Sequence, residues 1–151
     1  MKYALDTNIF IDGFRSEEAQ ADVFAFLDRA LPFTYLSAVV MQELAAGART
    51  ARAARDVQRH IFDPFERRRR VFAPTNGAFA ESGRVLATLA AREDWQTLYD
   101  NPSLGNDALI AVSCRERGIT LITKDKDFKR LSPLLSGFRY TSPWPSRDGH
   151  R

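Results

Sequence analysis

The sequence predicts an α/β domain with a mostly parallel central sheet. Short apolar or β-branched runs alternate with longer segments whose apolar residues recur at helical spacing, an alternation typical of parallel sheets covered by helices. No repeat, low-complexity stretch or interdomain linker divides the 151 residues, a length that suits one domain. We therefore expect one domain at residues 1–142, followed by a loose tail rich in Pro, Ser and Arg at residues 143–151.

The first half of the chain has two predicted strands and three helical segments. Ser16 and Ser37 precede apolar runs of helical period and are suited to cap them. Pro32 ends the first of these helices. In order, we expect a strand at residues 2–5, a helix at 17–31, a strand at 33–36, a helix at 38–47 and a basic helical segment that breaks near Pro64.

The second half alternates in the same way. Its strongest strand is almost entirely β-branched, at residues 119–123. Asn106 is suited to cap the helix before it, and Gly118 to close that helix. The remaining expectations are a strand at 71–73, a helix at 76–92, a loop at 95–105 around Asn101-Pro102, a helix at 107–116 and a last strand at 138–141.

The composition is that of a soluble globular protein, with 44% hydrophobic and 27% charged residues. No apolar run approaches the ~20 residues that span a bilayer, and Asp6 interrupts any signal-peptide pattern at the N-terminus. Cys114 is the single cysteine, which excludes an internal disulfide and favours a cytoplasmic protein. Because it sits in an apolar helical pattern, we expect a packed, inert thiol.

The positive charge is concentrated in one stretch. Between residues 49 and 72, eight arginines face three acids, which leaves +5 there and a slightly acidic remainder. Such a stretch is either a solvated helix face or a surface that contacts nucleic-acid phosphates. On the second interpretation, the expected contacts include the densest run: Arg67, Arg68, Arg69 and Arg70.

Four acids occupy unusual positions. Asp6 ends the first strand, and Asp125 follows the strand at 119–123, so both are expected at the carboxyl edge of the sheet, where ligands bind in such folds. Glu43 lies mid-helix on the same stripe as Val39 and Val40, where an ion pair with an arginine is one explanation. Asp107 heads an apolar stripe, and alone it would be explained by the helix dipole.

Gathered carboxylates repel one another unless a cation neutralises them. Oxygen ligands favour Mg²⁺ or Mn²⁺. The two histidines, His60 and His150, lie in the basic stretch and the tail, so neither a zinc site nor a Ser-His-Asp triad is readily built from them. The residues therefore favour metal-assisted phosphoryl chemistry.

Four segments carry a family resemblance: LDTNIFID, LSAVVMQELAAG, NDALIAVSCRERG and LITKDKDF. With them the chain resembles PIN-domain ribonucleases, specifically the VapC-type toxins of bacterial type II toxin–antitoxin modules. The resemblance implies a three-layer α/β/α sandwich, Mg²⁺- or Mn²⁺-dependent endonucleolytic cleavage of RNA, an antitoxin partner and, commonly, a homodimer. It also implies site residues at the matching positions: Asp6, Glu43 and Asp107 as the principal metal-binding acids, Asp125 as the fourth, Asp127 as its alternate, and Thr7, Asn8 and Thr123 as small polar residues beside them.

Alternative functions remain at this point. A free-standing PIN nuclease in RNA processing, or a non-catalytic RNA-binding or interaction module of the same fold, would share these motifs. A phosphatase of the haloacid-dehalogenase type is disfavoured because its motif requires an acid where this chain has Asn8.

Two further surfaces are open to interpretation from the sequence. Trp95 and Tyr99 either stack on an RNA base or pack in the fold. The helices at 17–31 and 39–46 either pack entirely in the core or offer a groove to a partner helix, which would place an Arg or Lys among the acids.

Overall fold

The protein has a five-stranded, all-parallel sheet, as a computed structural model that describes residues 1–145 shows. The strand order is β3-β2-β1-β4-β5, with β1 in the centre. The predicted mostly parallel sheet is therefore confirmed. The strands are β1 Lys2–Leu5, β2 Thr34–Ser37, β3 Val71–Phe72, β4 Ile119–Ile122 and β5 Arg139–Thr141.

Helices make most of the connections between these strands. Two single 3₁₀ turns, Leu31–Phe33 and Ser132–Leu134, and a π-helical turn, Gln58–Phe62, supplement the α-helices. The α-helices are α1 Thr7–Arg15, α2 Glu17–Ala30, α3 Ala38–Gly47, α4 Ala51–Val57, α5 Asp63–Arg67, α6 Asn76–Arg92, α7 Trp95–Asp100, α8 Leu104–Glu116 and α9 Phe128–Leu131.

Helices cover both faces of the sheet, and the register shows it. Tyr3 of β1 is level with Arg139 of β5, so Tyr140 points to the other face. Tyr3 meets Phe26 of α2 edge-on at 5.5 Å, whereas Tyr140 lies 6.2 Å from Phe128 of α9. The two helices therefore lie on opposite faces, which gives the expected three layers.

Helix α1 is absent from the sequence-based expectations. It begins directly after Asp6, whose side chain caps it by accepting a hydrogen bond from Thr7 N at 2.8 Å. Ile9 and Phe10 of α1 are buried. Asp6 therefore lies between β1 and α1 and connects the end of the strand to the start of the helix.

The prediction of a loop at 95–105 is wrong. Asp94 caps α7 by accepting hydrogen bonds from the backbone N–H and the hydroxyl of Thr97 at 2.8 and 3.0 Å. The Asn101-Pro102 pair only separates α7 from α8, which begins at Leu104. Asn106 therefore lies inside α8 and does not cap it. Helix α9 likewise has no counterpart in the expectations.

The basic segment does not break at Pro64. Helix α4 continues through the π-helical turn into α5, and Pro64 lies in the first turn of α5. The π-helical turn directly before Pro64 changes the hydrogen-bond pattern, since Asp63 N donates to Gln58 O five residues back, and such local changes are common where a helix contains a proline.

The start of the predicted tail packs on the domain. The Trp144 ring stacks on Phe26 at 5.1 Å, and Arg29 donates a hydrogen bond to the Pro145 carbonyl at 3.2 Å. Residues 146–151 lie outside the described residues, and a domain boundary at residue 142 stays a prediction. Within residues 1–145, none of the helices has the length and apolar character to cross a bilayer.

Candidate metal centre

The predicted acids meet where the strand order changes direction. From β1 the chain passes to β2 and β3 on one side, and later to β4 and β5 on the other. The carboxyl ends of β1 and β4 therefore border the crevice in which α/β sheets of this kind bind ligands. Asp6 follows β1, Thr123 follows β4, and Asp6 N donates to Ile122 O at 2.9 Å, which holds the two strand ends together.

Asp6 is held by three of the predicted residues. Its side chain is only 3% exposed. Oδ1 accepts the Thr7 N–H, and Oδ2 accepts the Thr123 hydroxyl at 2.6 Å and the Asn8 amide at 3.1 Å. The structure thus brings together Asp6, Thr7, Asn8 and Thr123, and their contacts fix the orientation of the carboxylate.

Glu43 reaches the same place from another layer. Ser37 caps α3 by accepting the N–H groups of Val39 and Val40, which sets the direction of the helix at the end of β2. From the second turn of α3, Glu43 Oε1 accepts the Thr7 hydroxyl at 2.8 Å. The residue beside Asp6 therefore connects the first acid to the second, across 36 positions of sequence.

Three further acids complete the group. Asp107, Asp125 and Asp127 each place a carboxylate oxygen within 4.8 Å of the others. Asp125 N donates to Thr123 Oγ1 at 3.0 Å, and Asp127 N donates to Asp125 Oδ1 at 2.8 Å. Asp127, expected as an alternate to Asp125, thus lies beside it. We call Asp6, Glu43, Asp107, Asp125 and Asp127 the acid cluster.

Crowding and burial raise the pKa values of two of these acids. Burial first, and then the charges of Asp125, Asp6, Glu43 and Asp127, raise the pKa of Asp107 to about 8. Burial also raises the pKa of Asp6, against the lowering effect of the hydrogen bonds from Thr123 and Thr7. Both carboxylates are therefore costly to ionise unless positive charge is supplied.

The donor set fits a hard divalent cation. Asp107 is 5% exposed, and no hydrogen-bond donor within residues 1–145 reaches its Oδ2 atom. A buried carboxylate oxygen without a partner is costly, and a cation is a suitable partner for it. The group offers only oxygen ligands, which suits Mg²⁺ or Mn²⁺. This unpartnered oxygen is the feature of the site that points most directly to a ligand.

Two cations that the sequence analysis did not single out lie at the border of the cluster. Arg130 forms ion pairs with Asp127 and with Glu93 at the end of α6. Lys124 forms an ion pair with Asp12 of α1. Both lie in the segment 124–130, in which six of the seven residues are charged. Neither donates to Asp107 or Asp6.

The run Arg67 to Arg70 lies away from the acids. It immediately precedes β3. Arg70 donates a hydrogen bond of 2.7 Å to the carbonyl of Leu31, which lies just before the start of β2. Arg67 and Arg68 donate to the carbonyls of Asp63 and Pro64. The structure therefore places this run towards the amino ends of the strands and does not bring it to the acid cluster.

The remaining predicted surfaces differ in their burial. Trp95 and Tyr99 are 63% and 78% exposed on α7, so the alternative in which they pack in the fold does not hold. Val39, Val40 and Leu44 pack in the core. An open groove of about 360 Å³ lies instead between α1, α3 and α4; Ile11, Phe14, Glu43, Gly47, Ala53 and Val57 are among its lining residues.

Most of the chain matches a known protein family, since residues 3–133 match the PIN domain. The chain is similar to DNA-bound VapBC from Salmonella typhimurium (22% identity, 94% of this chain and 98% of that chain, TM-score 0.69) and to VapBC-1 from nontypeable Haemophilus influenzae (23%, 94% and 98%, 0.65). It is also similar to FitAcB from Neisseria gonorrhoeae (20%, 95% and 99%, 0.66). At these identities the likeness establishes a shared fold. No curated protein sequence matches the chain.

Proposed function

Because this chain belongs to the PIN domain family, to which residues 3–133 match, we propose that it is a metal-dependent endoribonuclease and the toxin of a toxin–antitoxin pair. The observation that carries the proposal is the acid cluster, with its buried and unpartnered Asp107 oxygen, at the switch point of the sheet. The proposed substrate is RNA, the proposed reaction is hydrolysis of a phosphodiester bond, and the proposed location is the cytoplasm.

The acid cluster supplies the ligands for the proposed metal. Asp107, Asp125 and Asp127 are spaced to share one ion, and Asp6 and Glu43 are near enough to affect the charge of Asp107. When bound, Mg²⁺ or Mn²⁺ would lower the pKa of the attacking water and offset negative charge on the phosphate in the transition state.

The neutral residues around the cluster orient its oxygens. Thr123 contributes to two acids, because its hydroxyl donates to Asp6 and accepts from the Asp125 N–H. Asn8 donates to Asp6 and accepts the Lys124 N–H at 3.2 Å, so it joins α1 to the segment after β4. Held in this way, the carboxylates need little rearrangement to bind a cation, which is the role of hydrogen-bonded partners around a metal site.

We further propose that an antitoxin covers this site. The similar VapBC and FitAcB structures are complexes, and the motifs of this chain resemble those of VapC-type toxins. The groove between α1, α3 and α4 is largely apolar and carries Glu43 in its lining, which suits a partner segment that ends in a basic residue directed at the acids. A homodimer is part of the same proposal.

RNA cleavage tests the enzymatic part of this proposal. Labelled RNA should be cut with Mg²⁺ or Mn²⁺ and left intact with EDTA, and Asp107→Asn should leave it intact in both. Cleavage that continues unchanged in EDTA would exclude the proposed chemistry.

Co-expression tests the toxin part separately. The gene adjacent to this one should encode a small protein that co-purifies with the chain, inhibits cleavage and relieves a growth defect. If the chain cleaves RNA but is harmless when expressed alone and binds no neighbouring product, it is a free-standing nuclease of this family.

A further inference from the structure

Seven of the eight arginines of the basic stretch fall into two structurally different groups. One is the run Arg67 to Arg70, and the other is a set on α4 and the turn after it: Arg52, Arg55 and Arg59, which we call the α4 row. Resting on the proposed nuclease function, we infer that the α4 row, and not the run at 67–70, holds the phosphate backbone of the RNA substrate.

The α4 row forms one exposed face. Arg52 and Arg55 are three residues apart, and Arg55 and Arg59 four apart, so their side chains neighbour one another on the helix surface. All three are exposed, and no ion pair within residues 1–145 engages them. The row extends roughly 10 Å along the helix axis, which is long enough to contact more than one phosphate of a strand. Three guanidinium groups are thus available to an external anion.

Helix α4, which carries the row, borders a groove that Glu43 of the acid cluster also lines. The groove that Glu43 lines on one side is lined on the other by Ala53, Asp56 and Val57 of α4. Glu43 is hydrogen-bonded through Thr7 to the position next to Asp6. Helix α4 therefore forms one side of the groove that reaches Glu43, and Arg52 and Arg59 flank Asp56, one of the residues that line it.

The run at 67–70 is also largely exposed, but it differs from the α4 row in its hydrogen bonds and in its place in the fold. Arg67, Arg68 and Arg70 donate to backbone carbonyls, and Arg70 also lies over the Tyr35 ring at 5.8 Å. These contacts are made within the fold. The run also lies towards the amino ends of the strands, whereas the acids lie at the carboxyl ends.

The electrostatics of the site explain why RNA is the expected occupant. The negative charge of the acid cluster repels an approaching phosphate chain, so productive binding requires fixed positive charge next to it. Guanidinium groups bind phosphate oxygens through two parallel hydrogen bonds and lose little on desolvation. An acidic segment of a protein partner could use the same charges, and a pair of matched variants separates the two occupants.

The test compares two triple variants of equal charge. Arg52→Gln/Arg55→Gln/Arg59→Gln removes the α4 row, and Arg67→Gln/Arg68→Gln/Arg69→Gln is the matched control, since each lowers the net charge by three. Both are made in full-length protein that also carries Asp107→Asn, so that the RNA stays intact. Circular dichroism checks their folding, and fluorescence anisotropy gives the affinity for a labelled single-stranded RNA between 50 and 300 mM salt.

We expect the α4 variant to lower the slope of log K against log salt by about 2, at about 0.7 for each single-strand phosphate that the protein no longer neutralises. The control should change the slope by less than about 0.7, the value for one phosphate. Equal slopes in the two variants overturn the inference. So does an α4 variant that keeps the slope but no longer co-purifies with the adjacent gene product, because the row is then a protein-docking face.

The outcome is separable from that of the proposed function. If the wild-type protein cuts RNA with Mg²⁺ and the two slopes are equal, the nuclease proposal stands and the α4 inference fails. If the wild-type protein does not cut RNA but the α4 variant alone flattens the salt dependence, the row is an RNA-binding surface and the nuclease proposal fails.

Discussion

The two ends of the sheet differ in whether their charged side chains find partners within the protein. At the carboxyl end, five acids gather and Asp107 Oδ2 is buried without a donor from residues 1–145. Towards the amino end, Arg70 donates to the Leu31 carbonyl and lies over the Tyr35 ring. A charged group that finds all its hydrogen-bond partners within the protein stabilises the fold. A buried charged group that lacks such partners indicates a ligand.

The same contrast separates two buried threonines of one strand region. Thr123 Oγ1 donates to Asp6 and accepts the Asp125 N–H. Thr120 Oγ1, three residues earlier, is buried without a partner within the described residues. Thr120 also lacks a hydrogen-bond partner within residues 1–145, but its hydroxyl is neutral, whereas the unpartnered oxygen of Asp107 belongs to an ionisable group and therefore indicates a cation. The comparison therefore depends on charge as well as on missing partners, and substitutions at both kinds of position can test it.

The largest effect is expected at Asp107. Asp107→Asn should lower RNA cleavage by more than about 100-fold, because loss of a group that merely supports a metal ligand already costs roughly 10–100-fold. Cleavage of labelled RNA with Mg²⁺ measures the effect. Asp28→Asn, an exposed acid on α2, is the control and should cut at the wild-type rate. Equal loss in both variants would mean that net charge, and not the cluster, limits cleavage.

Thr123→Val should have the next largest effect. It removes the hydroxyl that orients Asp6 and Asp125, so we expect a loss of Mg²⁺ affinity of roughly 10- to 100-fold. The free energy of unfolding should fall by about 1–3 kcal/mol, since the buried Asp6 carboxylate and the partly buried Asp125 N–H each lose a partner. Titration of cleavage with Mg²⁺ and urea denaturation measure the two.

Thr120→Val is the matched control on the same strand. Its hydroxyl has no partner to lose, so stability should stay unchanged or rise, and Mg²⁺ dependence should not move. A large loss of Mg²⁺ affinity here would break the distinction between the two threonines.

The stability of the metal-free protein should depend on pH through the acid cluster. The pKa of Asp107 rises on folding from its ordinary value of 3.8 to about 8, so the folded state holds a proton that the unfolded chain releases. The stabilisation is complete below about pH 4 and is lost as pH rises through about 8. Urea denaturation in EDTA at pH 5, 7 and 9 should show this fall, which Asp107→Asn should flatten. An unchanged pH profile in that variant would contradict the assignment.

The smallest effect is expected at the amino end. Arg70→Ala should lower the free energy of unfolding by about 1–3 kcal/mol, because the Leu31 carbonyl loses a charged donor, and cleavage per folded molecule should not change. Thermal or urea denaturation measures the loss. Arg68→Ala, which is exposed, should change stability by less than about 0.5 kcal/mol. If Arg70→Ala lowers cleavage per folded molecule, the run at 67–70 contacts the RNA substrate after all.

The sequence by itself determined the elements whose signals are local. The β-branched run of β4, the serine caps of α2 and α3, and the acids after β1 and β4 follow from neighbouring residues, and they suffice to predict a parallel sheet with carboxylates at one edge. The prediction failed at residues 95–105, where the Asn101-Pro102 pair alone indicated a loop. The helix α7, which Asp94 caps, was missed.

Only the tertiary structure decided what each charge does. Arg70 and its carbonyl partner are 39 residues apart, Asp6 and Thr123 are 117 apart, and no local pattern reports either contact. The unusual pKa of Asp107 likewise comes first from burial and then from acids on other elements. Secondary structure depends on short-range preferences, whereas the ionisation and availability of a side chain depend on desolvation and on partners that the chain brings together when it folds.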